Sequence, residues 1–360
     1  MIFSLQESIL GAVLLYKNAK PSKKGVCMKK LKGIVAMVCL LFTAEAFLYA
    51  GGAAEPGKRI IGISKIVSHP ALDAVEQGVQ DQLKADGFTD LIFDLQNANG
   101  DVNTAASIAN KFKSEKVAVA VGIATPMAVS LANVLKDTPV VYSAVTDPVS
   151  AGLVKSFTKG EKFVTGVSDM TPVKEQIAFL TKLKPIKRLG HIYTSSEANA
   201  VVLRDMTKKA CDELGIEFVE SAITNSSEVK QAAQSIASRV DAFYVSTDNT
   251  VVSAITSLTD VAMANKLPVV SADPSSAESN QVLVAWGFDY YKIGRATGRV
   301  IGDILKGKSC EEIPTLFMTA PSDIDLLINE DVAAAIGITI PKDILDSANK
   351  IVRQGKLITK

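Results

Sequence analysis

The residues of this chain that could do chemistry stand in six short polar loops. They are Ser68-His69-Pro70, Ala124-Thr125-Pro126, Ala144-Val-Thr146-Asp147, Ser195-Ser196-Glu197, Thr247-Asp248-Asn249 and Ala272-Asp273-Pro274. Asp147, Glu197, Asp248 and Asp273 can pair an ammonium. The hydroxyls of Thr125 and Thr146, beside helix N-terminal amides, can hold a carboxylate. That mixture suits a zwitterion better than a sugar, for which more aromatic platforms are expected. Taken singly, each loop also reads as a helix N-cap, because Ser, Thr, Asp and Asn satisfy orphan amides there. The argument for a ligand site is their joint convergence, with Ser68, His69, Ser196 and Asn249 completing the candidate set.

Other chemistries lack their residues. The chain has 2 His and 4 Cys in 360 residues, and none of H-E-x-x-H, C-x-x-C or G-x-S-x-G occurs, so no metal centre or catalytic constellation is expected. His191 falls within an apolar strand and reads as structural, whereas His69 lies in a loop and can line a cleft. Gly302-Asp-Ile-Leu-Lys-Gly-Lys308-Ser309 matches the P-loop pattern letter for letter. A P-loop, however, needs a strand before its glycines and a helix after them. Here the helix comes first, Gly307 reads as its stop, and Glu311 and Glu312 follow. The first strand runs into Ser64-Lys-Ile-Val-Ser-His69 without the glycines that a dinucleotide requires. With 39 Lys+Arg against 38 Asp+Glu there is no basic field for nucleic acid. These absences predict a protein that is not an enzyme and carries no cofactor.

The elements that must position the loops form a repeat. A strand-like run at 59–67 leads to a helical pattern at 71–85 closing at Gly87, and the pattern returns at 188–193 and 199–214, closing at Gly215. Gly62 to Gly87 and Gly190 to Gly215 are both 25 residues. Each copy continues with a strand (90–95; 217–222), an Ala-rich helix (103–112; 227–238), a β-branched run ending in a polar loop (117–126; 241–249) and a further helix. A Pro-led strand (139–142; 268–271) and an Asp-Pro turn then follow. This alternation predicts an α/β fold of two Rossmann-like lobes with parallel sheets around a ligand cleft, the loops lying at the carboxyl ends of the strands. A glycine-bearing helix after Trp286, an extended run at 314–318 and a final helix at 330–336 complete the chain.

Residues 1–57 read as a leader. Lys29, Lys30 and Lys32 precede an apolar run of 17 residues, 34–50, and then Gly51, Gly52, Ala53 and Ala54. Met28 stands where such a signal peptide, about 28–54, should begin. A membrane anchor and a lipid on Cys39 are the alternatives. Glu45 inside the run opposes the first, and the poor lipobox at 36–38 opposes the second. Export leaves Cys211 and Cys310, which could pair or stay as free thiols.

The ordered motifs Ile63-Ser-Lys-Ile-Val-Ser-His-Pro-Ala-Leu-Asp73, Gln96-Asn-Ala-Asn-Gly-Asp101, Ala124-Thr-Pro126 and Ala144-Val-Thr-Asp-Pro148 carry a resemblance. Thr165-Gly-Val-Ser-Asp169, Ser195-Ser-Glu-Ala-Asn199, Thr247-Asp-Asn249 and Gly287-Phe-Asp-Tyr-Tyr291 extend it. From about residue 58 onward the chain resembles ABC-transporter substrate-binding proteins of the tryptophan/aromatic-amino-acid type, a branch of the type I periplasmic binding protein fold. The resemblance implies a monomeric receptor, periplasmic or attached to the outer face of the cytoplasmic membrane, that delivers its ligand to an ABC permease. It implies lobe 1 over 58–170 plus about 287–318, lobe 2 over 171–286 plus about 319–360, and crossovers near Thr171, Trp286 and Thr319. Asp248, supported by Asn249, would take the α-ammonium and Thr125 and Thr146 the carboxylate, with His69, Glu197 and Asp273 lining the cleft. A receptor for another small solute, and a sensor that docks on a membrane signalling partner, remain the other readings.

Overall fold

The computed structural model describes residues 57–360, so the expected leader, including Met28 and Cys39, lies outside the described residues. Among the described residues no helix is long and apolar enough to cross a membrane.

The first sheet is built by β1 (Arg59–Lys65), α1 (Pro70–Ala85), β2 (Leu91–Asn97), α2 (Val102–Glu115), β3 (Val119–Ile123), α3 (Thr125–Val134), β4 (Val140–Ser143) and β5 (Val164–Ser168). All five residues of β3 are buried, as expected of a strand with both faces covered by helices. The chain then forms α4 (Val173–Leu183), β6 (Arg188–Thr194), α5 (Ala198–Leu214), β7 (Glu217–Ile223), α6 (Val229–Ala237), β8 (Ala242–Val245), α7 (Asn249–Ser253), α8 (Ile255–Ala264), β9 (Val269–Ser271), α9 (Pro274–Ala277) and β10 (Val284–Phe288). It returns to the first lobe for α10 (Tyr290–Leu305) and β11 (Leu316–Phe317). It ends in the second with β12 (Ile324–Asn329), α11 (Glu330–Ile336), α12 (Lys342–Ser347), β13 (Lys350–Arg353) and β14 (Lys356–Thr359).

The six-stranded sheet has the order β11-β5-β4-β3-β1-β2 and the eight-stranded sheet β14-β13-β12-β10-β9-β8-β6-β7. The first is parallel throughout. The second departs from the expected parallel pattern, since β12 runs antiparallel to β10, and β14 to β13. The reason is the direction of entry. β10 leaves its sheet at the cleft end, and β12 comes back into the sheet from that same end, so it must run the other way. The helix at 330–336 is present, but α12 and a β-hairpin follow it.

The repeated glycines do the same work in each lobe. A Cβ on Gly62 would stand 2.7–2.8 Å from the Phe112 ring, and one on Gly190 would stand 2.9 Å from Phe243. Each aromatic ring packs where its glycine has no side chain. Gly87 and Gly215 have φ of +83° and +68°, the left-handed conformation of a helix C′ position. Cys211 and Cys310 are both free and buried, and burial pushes their thiols up to about 12 and about 11.

The chain passes between sheets three times, after β5, after β10 and after β11. Trp286 is the middle residue of β10, and the second passage falls at Asp289. Gln176 of α4 ties the first two of these passages together. Its amide donates to Thr171 Oγ1 (2.6 Å) and to the Trp286 carbonyl, while its Oε1 accepts from Tyr244 Oη at 2.6 Å.

Candidate functional site

All six polar loops contribute to two adjoining cavities between the lobes. The inner cavity is lined by His69, Leu72, Ala144, Thr146, Asp169, Asn199, Thr247, Asp248, Asn249, Val252, Asp273 and Tyr290, and holds about 10 Å³, the room that one water needs. The outer cavity, about 190 Å³, lies at the mouth and takes Ile66, Val67, Pro126, Ser196, Glu197 and Thr250 among its walls, sharing Asn249 with the inner one.

The carboxylates are held by different means. Asp248 is fully buried at the start of α7, where it accepts from Thr194 N (2.6 Å), Thr194 Oγ1 (2.8 Å) and Val251 N (3.0 Å). It is thus both an N-cap and part of the cavity wall. Burial first, and the neighbouring Glu197 charge second, push its carboxyl up to about 7. Asp273 likewise caps α9 through Ser275 N (2.9 Å) and Ser276 N (3.3 Å), and also accepts from Ser276 Oγ. Glu197 accepts from Asn249 Nδ2 (2.5 Å), Thr250 N (3.1 Å) and Thr250 Oγ1 (2.6 Å), so it orients Asn249.

Three expected ligand residues stand elsewhere. Asp147 caps the turn that follows β4, accepting from Val149 N and Ser150 N at 3.0 Å each. Ser68 is exposed, lines neither cavity, and donates to Asp73 at 2.8 and 2.9 Å. Thr125 is buried at the first position of α3 but lines neither cavity, and its Oγ1 has no partner. In these loops the N-cap chemistry and local packing took the side chains away from the cleft.

Asp169 is the residue that the sequence reading missed. It follows β5, is buried, and accepts from Thr146 Oγ1 (3.2 Å) and Tyr290 Oη (3.0 Å). Burial pushes its carboxyl up to about 6. The only signal for it was the motif Thr165-Gly-Val-Ser-Asp169, which carries no periodicity that would aim the side chain.

The wall also carries unfinished polar chemistry. Both ring nitrogens of His69, Asn199 Oδ1 and Thr247 Oγ1 are buried without a hydrogen-bond partner. Orphans of this kind cost about 1–3 kcal/mol each, so a site that keeps several is built for a polar guest. Burial holds the His69 imidazole below its ordinary value, against the pull of Asp273, Asp73 and Glu197. A neutral ring next to acids can both donate and accept. His191, by contrast, is wholly buried on β6, with its titration pushed down to about 4 by burial, and it touches neither cavity. No group of three or more His, Cys, Asp or Glu among the described residues could hold a metal ion.

Comparison with known proteins agrees with this architecture. The family described as ABC transporter substrate binding protein matches residues 60–352. A tyrosine-binding protein of Clostridioides difficile (strain R20291) is 38% identical over 280 residues, 77% of this chain and 80% of that protein. An ABC domain from Streptococcus pneumoniae solved in complex with L-Trp is 32% identical, with a TM-score of 0.78 over 82% of this chain and 100% of that one. A substrate-binding protein with adhesive properties from Clostridium difficile, solved ligand-free and open, is 37% identical, with a TM-score of 0.61 over 79% of this chain and 97% of that one. These relatives are binding proteins and not enzymes. The fold is that of the type I periplasmic binding proteins, two Rossmann-like lobes around a cleft. The chain belongs to the ABC transporter substrate-binding protein family.

Proposed function

We propose that this protein is an exported receptor that closes its two lobes on a free aromatic amino acid, tryptophan or tyrosine, and hands it to the permease of an ABC importer. It works as a monomer, with lobe 1 formed by 58–170 plus about 287–318 and lobe 2 by 171–286 plus about 319–360. The observation that carries this reading is the set of unpartnered buried atoms on His69, Asn199 and Thr247, facing the same small cavity as Asp248 and Thr146. Asp248 attracts the ammonium, Asn249 and His69 complete its shell, and backbone amides beside Thr146, whose own hydroxyl proton is given to Asp169, meet the carboxylate. Closure is supported by two facts. Residues of both lobes, His69 and Thr146 on one side and Asp248 and Asn249 on the other, line one cavity, and the chain superposes better on the L-Trp complex than on the open relative. No bond is made or broken; ligand contact free energy shifts an open–closed equilibrium.

The test is thermal unfolding of residues 58–360, first unfolded and refolded to strip ligand, against the twenty amino acids and representative sugars. A ligand at about 100 times its Kd should stabilise the fold by roughly 2.7 kcal/mol. A raised midpoint with tryptophan or tyrosine is the expected result, and no response to any amino acid overturns the reading.

The raised carboxyls add a pH signature. Asp248 at about 7 and Asp169 at about 6 bind protons in the ligand-free native state that an unfolded carboxylate, near 3.9, would not. Their stabilisation as acids is complete at low pH and is lost as pH rises through those values. His69 and His191, both lowered, oppose this over the same range, so stability alone conceals the effect. Ligand affinity isolates it, because an ammonium favours the charged carboxylates and binding must release protons. Calorimetry in two buffers of different ionisation enthalpy should show proton release at pH 6 and a Kd that tightens from pH 5 to about 7. Proton uptake, or a Kd that weakens over that range, contradicts it.

A further inference from the structure

We infer that Asp169 is a second anchor for the ligand's ammonium and the point at which binding is passed to the hinge. This rests on the amino-acid reading above and gives Asp169, there only a titrating neighbour of the site, a direct contact and a mechanical role. Of the three Asp carboxylates on the inner cavity, Asp248 and Asp273 are already engaged by backbone amides as helix caps. Asp169 is met instead by two side-chain hydroxyls, Thr146 Oγ1 at 3.2 Å and Tyr290 Oη at 3.0 Å, neither of them a cation. It is only 3% exposed, and a buried carboxylate without a cation is a costly thing to keep. Independent of it, Asn199 of the second lobe, also 3% exposed, presents an unpartnered Oδ1 to the same cavity. An ammonium has three N–H donors, so it can meet Asp169 and Asp248 together and still satisfy a third acceptor.

The position of Asp169 in the chain supplies the second half of the inference. It stands immediately after β5, where the chain first leaves lobe 1, and its partner Tyr290 opens α10, where the chain returns. One carboxylate therefore joins two of the three interlobe passages. A cation that draws on Asp169 also sets its bond to Tyr290, and with it the relative placement of the two passages.

The experiment compares the refolded protein with D169N and Y290F, using the best-binding amino acid and its des-amino 3-arylpropanoate analogue. D169N keeps the shape and an acceptor for Tyr290 but removes the charge. It should weaken the amino acid at least about 30-fold, while leaving the analogue, which has no ammonium, within a few-fold of its original affinity. Retained analogue binding also shows that D169N is folded. Y290F keeps the charge. It should cost only a few-fold in affinity yet reduce the ligand-induced compaction seen by small-angle scattering. Equal amino-acid affinity in D169N overturns the anchor, and undiminished compaction in Y290F overturns the hinge coupling. If the unsubstituted protein binds no amino acid, the receptor reading falls and this inference falls with it. Binding by the unsubstituted protein and by D169N alike removes the inference alone.

Discussion

An Asp248→Ala protein is expected to lose about 2–5 kcal/mol of binding free energy for its amino acid, roughly a 30-fold to several-thousand-fold rise in Kd. The size follows from burial. Asp248 is fully out of water, and any ammonium it meets is desolvated with it, so the charge removed is one that solvent cannot replace. The substitution also frees Thr194 and Val251 from their acceptor and removes an N-cap worth about 1 kcal/mol. Asp248→Asn separates the two effects, because it keeps the volume and an oxygen for the cap while removing the charge. Titration calorimetry on stripped protein should find both variants weak and only the alanine variant clearly less stable. An alanine variant with unchanged Kd would remove Asp248 from the site.

Gly294→Val should be as damaging to lobe 1 as the first substitution is to binding. α10 and α1 cross with glycines at their contact. A Cβ on Gly294 would stand 2.2 Å from the Val75 carbonyl oxygen, and one on Gly78 would stand 2.3 Å from that of Tyr291 and 3.0 Å from Gly294 Cα. The obstacles are backbone atoms, which cannot swing aside as a side chain can. The helices would have to separate, and the apolar faces that include Val75, Val79, Ile293 and Ile301 would part with them. A cost of about 3 kcal/mol, the upper end of over-packing, is expected, read as a urea midpoint lower by about 1 M. Gly302→Ala is the control. Its Cβ meets only side chains, the Phe88 ring at 3.3 Å and Asp86 Oδ2 at 3.6 Å, and helix propensity favours alanine, so the midpoint should stay or rise. Equal midpoints for Gly294→Val and the unsubstituted protein would show that the crossing is loose enough to admit the added side chain.

Much of this architecture was legible beforehand because it is periodic. The equal spacing of Gly62–Gly87 and Gly190–Gly215 marked two copies of one strand–helix unit, and both glycine pairs do equivalent work. The loops were legible because strand carboxyl ends in such sheets face one crevice. Illegible was which polar side chain in a loop looks outward to the ligand and which turns back to cap a helix. Asp147 and Asp248 both follow a strand, and Asp147 caps a turn where Asp248 caps a helix, yet only Asp248 reaches the cavity. Asp169 and Tyr290 belong to neither copy of the repeat. They sit where the chain changes lobes, and their meeting is a property of the crossovers rather than of any local pattern. The antiparallel β12 was hidden for the same reason.

The crossing of α10 over α1 also has a temporal side. Arg299 donates to Gln82 at 3.4 Å across 217 residues of chain. During synthesis at about 5–20 residues per second, the face of α1 that α10 covers must wait roughly 10–40 s for its partner. Lobe 1 is begun first and finished only after five of the eight strands of the lobe 2 sheet have been made. The nascent protein therefore passes through a stage in which a glycine-lined apolar groove stands open to water. That stage, rather than the finished cleft, is where the chain is most in need of protection from other chains.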